Sequence, residues 1–281
     1  MPCEEQHRQR AGDFSFLVLT ISLNFEGRVL GPLKAEGSVS NQDRDRTLDV
    51  LRQDRLVGSI RVADPQRLPE LATALIDAGV RALELAVTTP MIATVIGDLV
   101  GRFGARACIG ASHVATPHDA DAVLEAGCAF VSTPNVAPMV VARCRKAIPV
   151  SIIGSFTPTE AYTAHAAQAD FVGIFPASGL GPGYLSVLRT ALPRVPFVPS
   201  GGITQETIPG WFAAGAAIVT VGSRLYPREA TRTGDWPRVS EHAARFVAAA
   251  RAAALISDKH RHPSDDHDTL VNAPIPDLRT S

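Results

Sequence analysis

VPFVPSGGITQETIPGWFAAGAAIVTVGS, residues 195–223, holds two short apolar runs, VPFVPS and AIVTVGS, with a helix-like segment between them. Serine and glycine close each run. Glycines at a strand end let backbone N–H groups approach an oxyanion, and a helix opening near Thr204 would aim its positive end at the same point. SGGIT alone is equally satisfied by a plain turn with a capping threonine. Two such loops on successive late strands favour phosphate, and their late position decides the fold.

Working back along the chain, apolar strand-like runs recur at 56–62, 82–87, 105–111, 129–133, 150–154 and 170–175. Longer amphipathic stretches separate them, such as PQRLPELATALIDAG (65–79) and TPHDADAVLEAG (116–127), each closed by a glycine as helices often are. Strands alternating with helices imply right-handed βαβ units and a parallel sheet. A doubly wound sheet would carry its glycine-rich fingerprint after the first strand. Here the first run is followed by RVADPQ (61–66), without glycine. Eight units with late glycines instead match an α/β fold of the (β/α)8 TIM-barrel type. The expected organisation is an N-terminal extension (1–50), one barrel domain (51–256) and a polar, disordered tail (257–281).

Composition narrows the partners. The chain is 46% hydrophobic and 20% charged with a formal net charge of −1, which suits a globular protein and disfavours nucleic acid or membrane as a partner. FSFLVLTISLNF (14–25) is too short to span a bilayer, and no small-x-small cleavage site follows it. It reads as a family extension or a start codon set too far upstream. Cys3, Cys108, Cys128 and Cys144 show no CxxC spacing, which fits a reducing cytoplasm. There are 24 arginines but only three lysines, Lys34, Lys146 and Lys259.

Catalytic groups of such barrels sit at the C-terminal ends of strands. Those positions offer Arg61, Glu84, Thr88, Ser112, His113, Pro134 and Asn135, then Ser200, Gly201, Gly202, Gly222 and Ser223. Glu84 lies inside ALELAV, otherwise wholly apolar, so its carboxyl is either an acid/base with a raised pKa or one half of a structural pair with Arg61. His113 is a candidate acid/base, metal ligand or polar plug. Glu84 and His113 would give a divalent metal only two ligands, so no cofactor is expected and a metal is the alternative. His118, His165 and His242 fall in helical segments, and His260, His262 and His267 in the tail.

At this point residues 56–254 resemble 2-keto-3-deoxy-6-phosphogluconate aldolase and its 4-hydroxy-2-oxoglutarate relatives. The similarity runs through IRVADPQRLPELATALIDAGVRALELAVTTP, IGASHVATPHDADAVLEAGCAFVSTPN, IFPASGLGP, FVPSGGIT and VGS, in that order. The resemblance implies a homotrimeric barrel and a lyase of carbohydrate metabolism that splits a 2-oxo acid into pyruvate and an aldehyde through a lysine Schiff base. It gives Glu84 the proton-moving role and puts Arg61 near the substrate carboxylate. Ser200, Gly201, Gly202 and Ser223 would hold phosphate beside the 179–183 loop. The family's lysine directly precedes the turn that here reads Ile174-Phe175-Pro176, and this chain has Gly173 in that place. GASHV also departs from the family's Gly-Ala-Gly-Thr-Val, putting His113 where a threonine contacts the pyruvyl carboxylate.

Losing the lysine removes imine formation and its electron sink. The expected function is an aldolase-like lyase or enolising enzyme on a phosphorylated 2-oxo (sugar) acid, with Glu84 and His113 as the catalytic pair. The alternatives are an inactive sugar-phosphate binder or regulator, and an ordinary aldolase drawing a lysine from elsewhere.

Overall fold

The computed structural model describes residues 39–259 apart from Ala63 and Ile148. Residues 14–25, Cys3, Lys34 and the three tail histidines therefore lie outside the described residues.

All eight expected runs form strands: β1 (Leu56–Ile60), β2 (Ala82–Ala86), β3 (Cys108–Ser112), β4 (Phe130–Ser132), β5 (Val150–Ser155), β6 (Phe171–Ile174), β7 (Phe197–Pro199) and β8 (Val219–Val221). They pair in parallel in the order β7-β6-β5-β4-β3-β2-β1-β8, and a parallel bridge between Ser200 and Thr220 closes the ring. Helices alternate with them: α2 (Leu68–Asp77), α3 (Ile92–Phe103), α4 (Pro117–Glu125), α5 (Pro138–Ala147), α6 (Pro158–Ala166), α7 (Gly181–Ala191) and α8 (Ile208–Ala213). Local chemistry starts several of these helices. Thr116 and Thr157 make capping boxes with Asp119 and Glu160, each followed by a proline at the first helical position.

Each strand has two buried faces, so its residues divide by parity. Leu83, Leu85, Ile109, Val131, Ile153 and Val172 point outward into the layer beneath the helices. Val57, Ala82, Cys108, Phe130, Val150, Phe171, Val198 and Ile218 form the lower interior of the barrel. Gly110 matters here, because a Cβ at that position would lie 2.7 Å from the Phe130 ring. Its lack of a side chain lets an aromatic ring cross the barrel floor.

One further helix, α1 (Asn41–Asp54), closes that floor with Val50 and Leu51. It straddles residue 50, the expected limit of the extension. Its apolar residues gather at its last turns, because only that end enters the barrel mouth, so no sustained periodicity marks it. Ser40 and Asp43 form a capping box at its start, and that pattern was the available sequence signal. Arg44 pairs with Asp170, which also accepts the backbone N–H (2.8 Å) and hydroxyl (2.9 Å) of Ser151. Arg81 bonds Asp54 at 2.6 Å on the other side. After β8 come α9 (Arg228–Thr233) and α10 (Trp236–Lys259), the latter running three residues past the expected start of the tail. Among the described residues no helix is long and apolar enough to cross a membrane.

Candidate active site

A cavity of about 310 Å³ opens at the C-terminal ends of the strands. The inward parity that builds the apolar floor continues upward and becomes polar. Two residues above Val57, Ala82 and Phe130 come Ser59, Glu84 and Ser132, and all three line the cavity.

Glu84 is 4% exposed. Burial pushes its pKa up to about 7, against a smaller opposing pull from the hydroxyls of Ser132 and Ser59. Ser132 Oγ donates to Glu84 Oε2 at 2.7 Å. The partners of this carboxyl are thus serines rather than Arg61, so the structural pair between neighbouring strands is not what the barrel uses. A carboxyl titrating near neutrality beside an open cavity can both take and return a proton.

His113 stands just past β3 with φ +61°, a left-handed conformation uncommon outside glycine. Its ring makes an edge contact with Phe175 (centroids 6.3 Å apart), and Nδ1 lies 3.2 Å from Ser112 Oγ. Partial burial, then the Arg61 guanidinium, push its pKa below the usual imidazole value. The ring is therefore neutral at pH 7 and offers one N–H donor.

On the opposite rim lie Ser200, Gly201, Gly202, Gly222 and Ser223. Gly201 and Gly202 have φ of +86° and +83°. A Cβ at 202 would meet Ser178 Cβ at 2.4 Å, so only glycine fits. Among the described residues the N–H group of Gly202 donates to no protein acceptor. The expected helix start near Thr204 is instead a turn, in which Thr204 N–H donates to Thr207 Oγ1 (3.0 Å). The six-residue α8 begins only at Ile208. A free backbone donor at Gly202, rather than a helix end at Thr204, makes this rim suited to an anion. The 179–183 glycines form a tight turn and the start of α7, outside the cavity lining.

Arg61, Ser112 and Pro134 line the cavity as expected from the sequence, whereas Thr88 and Asn135 do not. Thr88 is exposed in the turn after β2. Asn135 is exposed too, and its carbonyl accepts the Thr133 hydroxyl at 2.6 Å, which fixes the loop after β4. Arg224, which the sequence places beside Ser223 just past the end of β8, lines the cavity too, and Ser59 and Ser132 do so without having been singled out as site residues. The inward parity of Glu84, carried across the sheet, was the signal for the two serines.

Gly173 also lines the cavity, and a Cβ there would find its nearest neighbour, Gly154 Cα, at an ordinary 3.4 Å. Among the described residues no lysine lines the cavity. Lys146 is exposed in the last turn of α5, which leads to the start of β5 and so to the opposite end of the barrel. No group of three or more His, Cys, Asp or Glu able to hold a metal ion occurs among the described residues.

Comparison with known proteins places these features in a family. Residues 48–242 match the family model for KDPG and KHG aldolase. The chain is 35% identical over 200 residues to 2-dehydro-3-deoxy-6-phosphogalactonate aldolase of Escherichia coli K12, covering 70% of this chain and 95% of that relative. A native KDPGal structure superposes with a TM-score of 0.66 at 34% identity, over 71% of this chain and 96% of its own. KDPG aldolase from Legionella pneumophila, solved with pyruvate captured as a covalent carbinolamine intermediate, gives 0.65 at 25% identity, over 70% and 96%.

Proposed function

Because the chain belongs to the KDPG and KHG aldolase family, we propose that it is an aldolase-type lyase acting on phosphorylated 2-oxo-3-deoxy sugar acids, with Glu84 as its acid/base. The observation that carries this reading is a buried carboxyl titrating near 7 in a cavity that also holds two arginines, Arg61 and Arg224, and a glycine-built rim. The cationic groups suit a ligand with an acid at each end.

The Legionella relative holds pyruvate as a carbinolamine, which forms only when an amine adds to a carbonyl. Among the described residues the cavity lining supplies no lysine amine, so we assign the cleavage without one. Ionised Glu84 takes the proton of the C4 hydroxyl. The C3–C4 bond breaks, giving an aldehyde, and its electron pair moves onto the C2 carbonyl oxygen. Arg61 and the N–H of neutral His113 stabilise the resulting enolate. The proton on Glu84 then returns to C3, giving pyruvate. Acid/base and electrostatic contributions of roughly 10²–10⁴ and 10²–10³ are retained, whereas covalent catalysis is given up.

The test is pyruvate release from 2-dehydro-3-deoxy-6-phosphogalactonate and from the phosphogluconate isomer, by the wild type and by Glu84→Gln, with and without chelator. Borohydride trapping with pyruvate runs alongside. Release that needs Glu84, persists in chelator and leaves no borohydride adduct is expected. Equal release by Glu84→Gln, or a covalent adduct, sinks the lysine-free mechanism. Tight ligand binding with no release would instead make the protein a sugar-phosphate binder.

A further inference from the structure

The Glu84 carboxyl sits in a barrel layer to which alternate strands contribute side chains. In register, Glu84 on β2 lies beside Ser59 on β1 and beside Gly110 on β3. Gly110 in turn lies beside Phe130 on β4. Because β3 contributes no side chain at this level, a residue from β4 can reach across to β2. Phe130 passes below, and Ser132, two residues further up the same face, crosses above and meets Glu84 Oε2 at 2.7 Å.

This deepens the function proposed above and rests on Glu84 being its acid/base. We propose that Ser132 is a positioning residue whose hydroxyl fixes the Glu84 carboxyl in one orientation beneath the cavity, with Ser59 as a weaker second donor. A serine is an unusual filler for a barrel layer, where bulky branched residues dominate. A hydrogen bond donated to a carboxylate stabilises its ionised form. Ser132 thereby opposes the effect of burial and keeps Glu84 within reach of neutral pH; without it a smaller fraction of the carboxyl would be ionised at pH 7. The other charged or titratable groups on the surrounding elements are Arg61 past β1, His113 past β3 and Arg224 past β8. The buried Cys108 thiol lies on β3 below. Burial holds that thiol's pKa above its usual value, so it stays neutral and does not share the proton.

The experiment reads the carboxyl directly. The Glu84 C=O stretch is followed by difference infrared spectroscopy from pH 5 to 9, with Glu84→Gln as the blank, in the wild type, Ser132→Ala, Ser132→Thr and Ser59→Ala. Ser132→Ala is expected to move the midpoint up by about one pH unit. Ser132→Thr keeps the hydroxyl and should titrate as the wild type, and Ser59→Ala should move the same way by less. If Ser132→Ala does not fold, Ser132→Cys, of similar size and with a poorer donor, takes its place. An unmoved midpoint in Ser132→Ala, or a shift in Ser132→Thr as large as in Ser132→Ala, overturns the proposal, because a mere filler role gives no dependence on the hydroxyl. The band is visible whether or not the protein turns over substrate. A shifted midpoint with no turnover in any variant therefore supports the positioning role and overturns the catalytic reading instead.

Discussion

The lower and upper halves of the barrel interior are built by the same strands two or four residues apart, yet they share almost no chemistry. Below lie Val57, Ala82, Cys108, Phe130, Val150 and Phe171, sealed by Val50 and Leu51 of α1. Above lie Ser59, Glu84, Ser112, Ser132, Gly154 and Gly173 around an open cavity. The apolar half can be filled and dry because nothing must enter it, and fully burying each large side chain there is worth roughly 1.5–3 kcal/mol. The upper half forgoes that gain, replacing bulk with hydroxyls and glycines, and bears the cost of a desolvated carboxyl. Stability and reactivity are therefore divided by height along the strands, and mutations should respect the division.

The largest effect expected is on the upper half. Glu84→Gln should lower pyruvate release or proton exchange by about 10²–10⁴, measured as kcat/KM at pH 7, while leaving the fold intact. The stability effect has the opposite sign. A carboxyl with a pKa of about 7 when folded and 4.5 as a free side chain binds more protons folded than unfolded between those values. Its contribution to stability is fully present below pH 4.5 and is lost as pH rises through 7. The loss is on the order of 3 kcal/mol. Glu84→Gln should accordingly be more resistant to urea than the wild type at pH 8 and lose that advantage at pH 4.5. Equal stability at both pH values would mean that the carboxyl is not desolvated, and the contrast between the halves would break.

Next comes the lower half. Phe130→Ala leaves a cavity where a fully buried ring crossed the floor and should cost about 3–5 kcal/mol in urea unfolding. In conditions where it remains folded, its anion affinity should match the wild type, since the ring is absent from the cavity lining. A large loss of affinity with little loss of stability would reverse the assignment of the two halves.

Much of this division was legible in the sequence. The eight apolar runs announced the strands, because a strand buried on both faces is apolar throughout. A single glutamate inside ALELAV was conspicuous for the same reason, and glycines after the last two strands marked one rim of the cavity. Three features were hidden, each for its own reason. Ser59 and Ser132 are unremarkable until the register sets them on either side of Glu84. The plug α1 has too few apolar residues to show a period, since most of its length lies outside the barrel mouth. Thr88 and Asn135 occupy plausible strand-end positions, but both are exposed and outside the cavity lining, a choice made by turn geometry rather than by residue type.

Gly110→Ala probes the boundary itself. The added Cβ would meet Phe130 at 2.7 Å, so the ring must shift. Overpacking of this kind costs about 1–3 kcal/mol, read as a lower urea midpoint. The ring's displacement should also reach the layer above, broadening or moving the Glu84 titration that Phe130→Ala leaves alone. A stability loss without any change at Glu84 would show the two halves to be mechanically independent.

The smallest effect should come from Lys146→Ala, and its smallness carries weight. Lys146 is the one lysine whose side chain lies among the described residues, exposed beside Arg145 in the last turn of α5. Its charge there favours the helix C-terminus by about 0.3–1 kcal/mol at most, and less in salt. The chain direction puts it at the sealed end of the barrel, with the apolar floor between it and Glu84. Turnover and anion binding should be unchanged, and stability should stay within about half a kcal/mol of the wild type. If Lys146→Ala instead abolished activity or removed a borohydride-trapped adduct, a nucleophile would have to reach the ligand from the dry end. The separation of a sealed, stabilising floor from a wet, reactive mouth would then no longer describe this barrel.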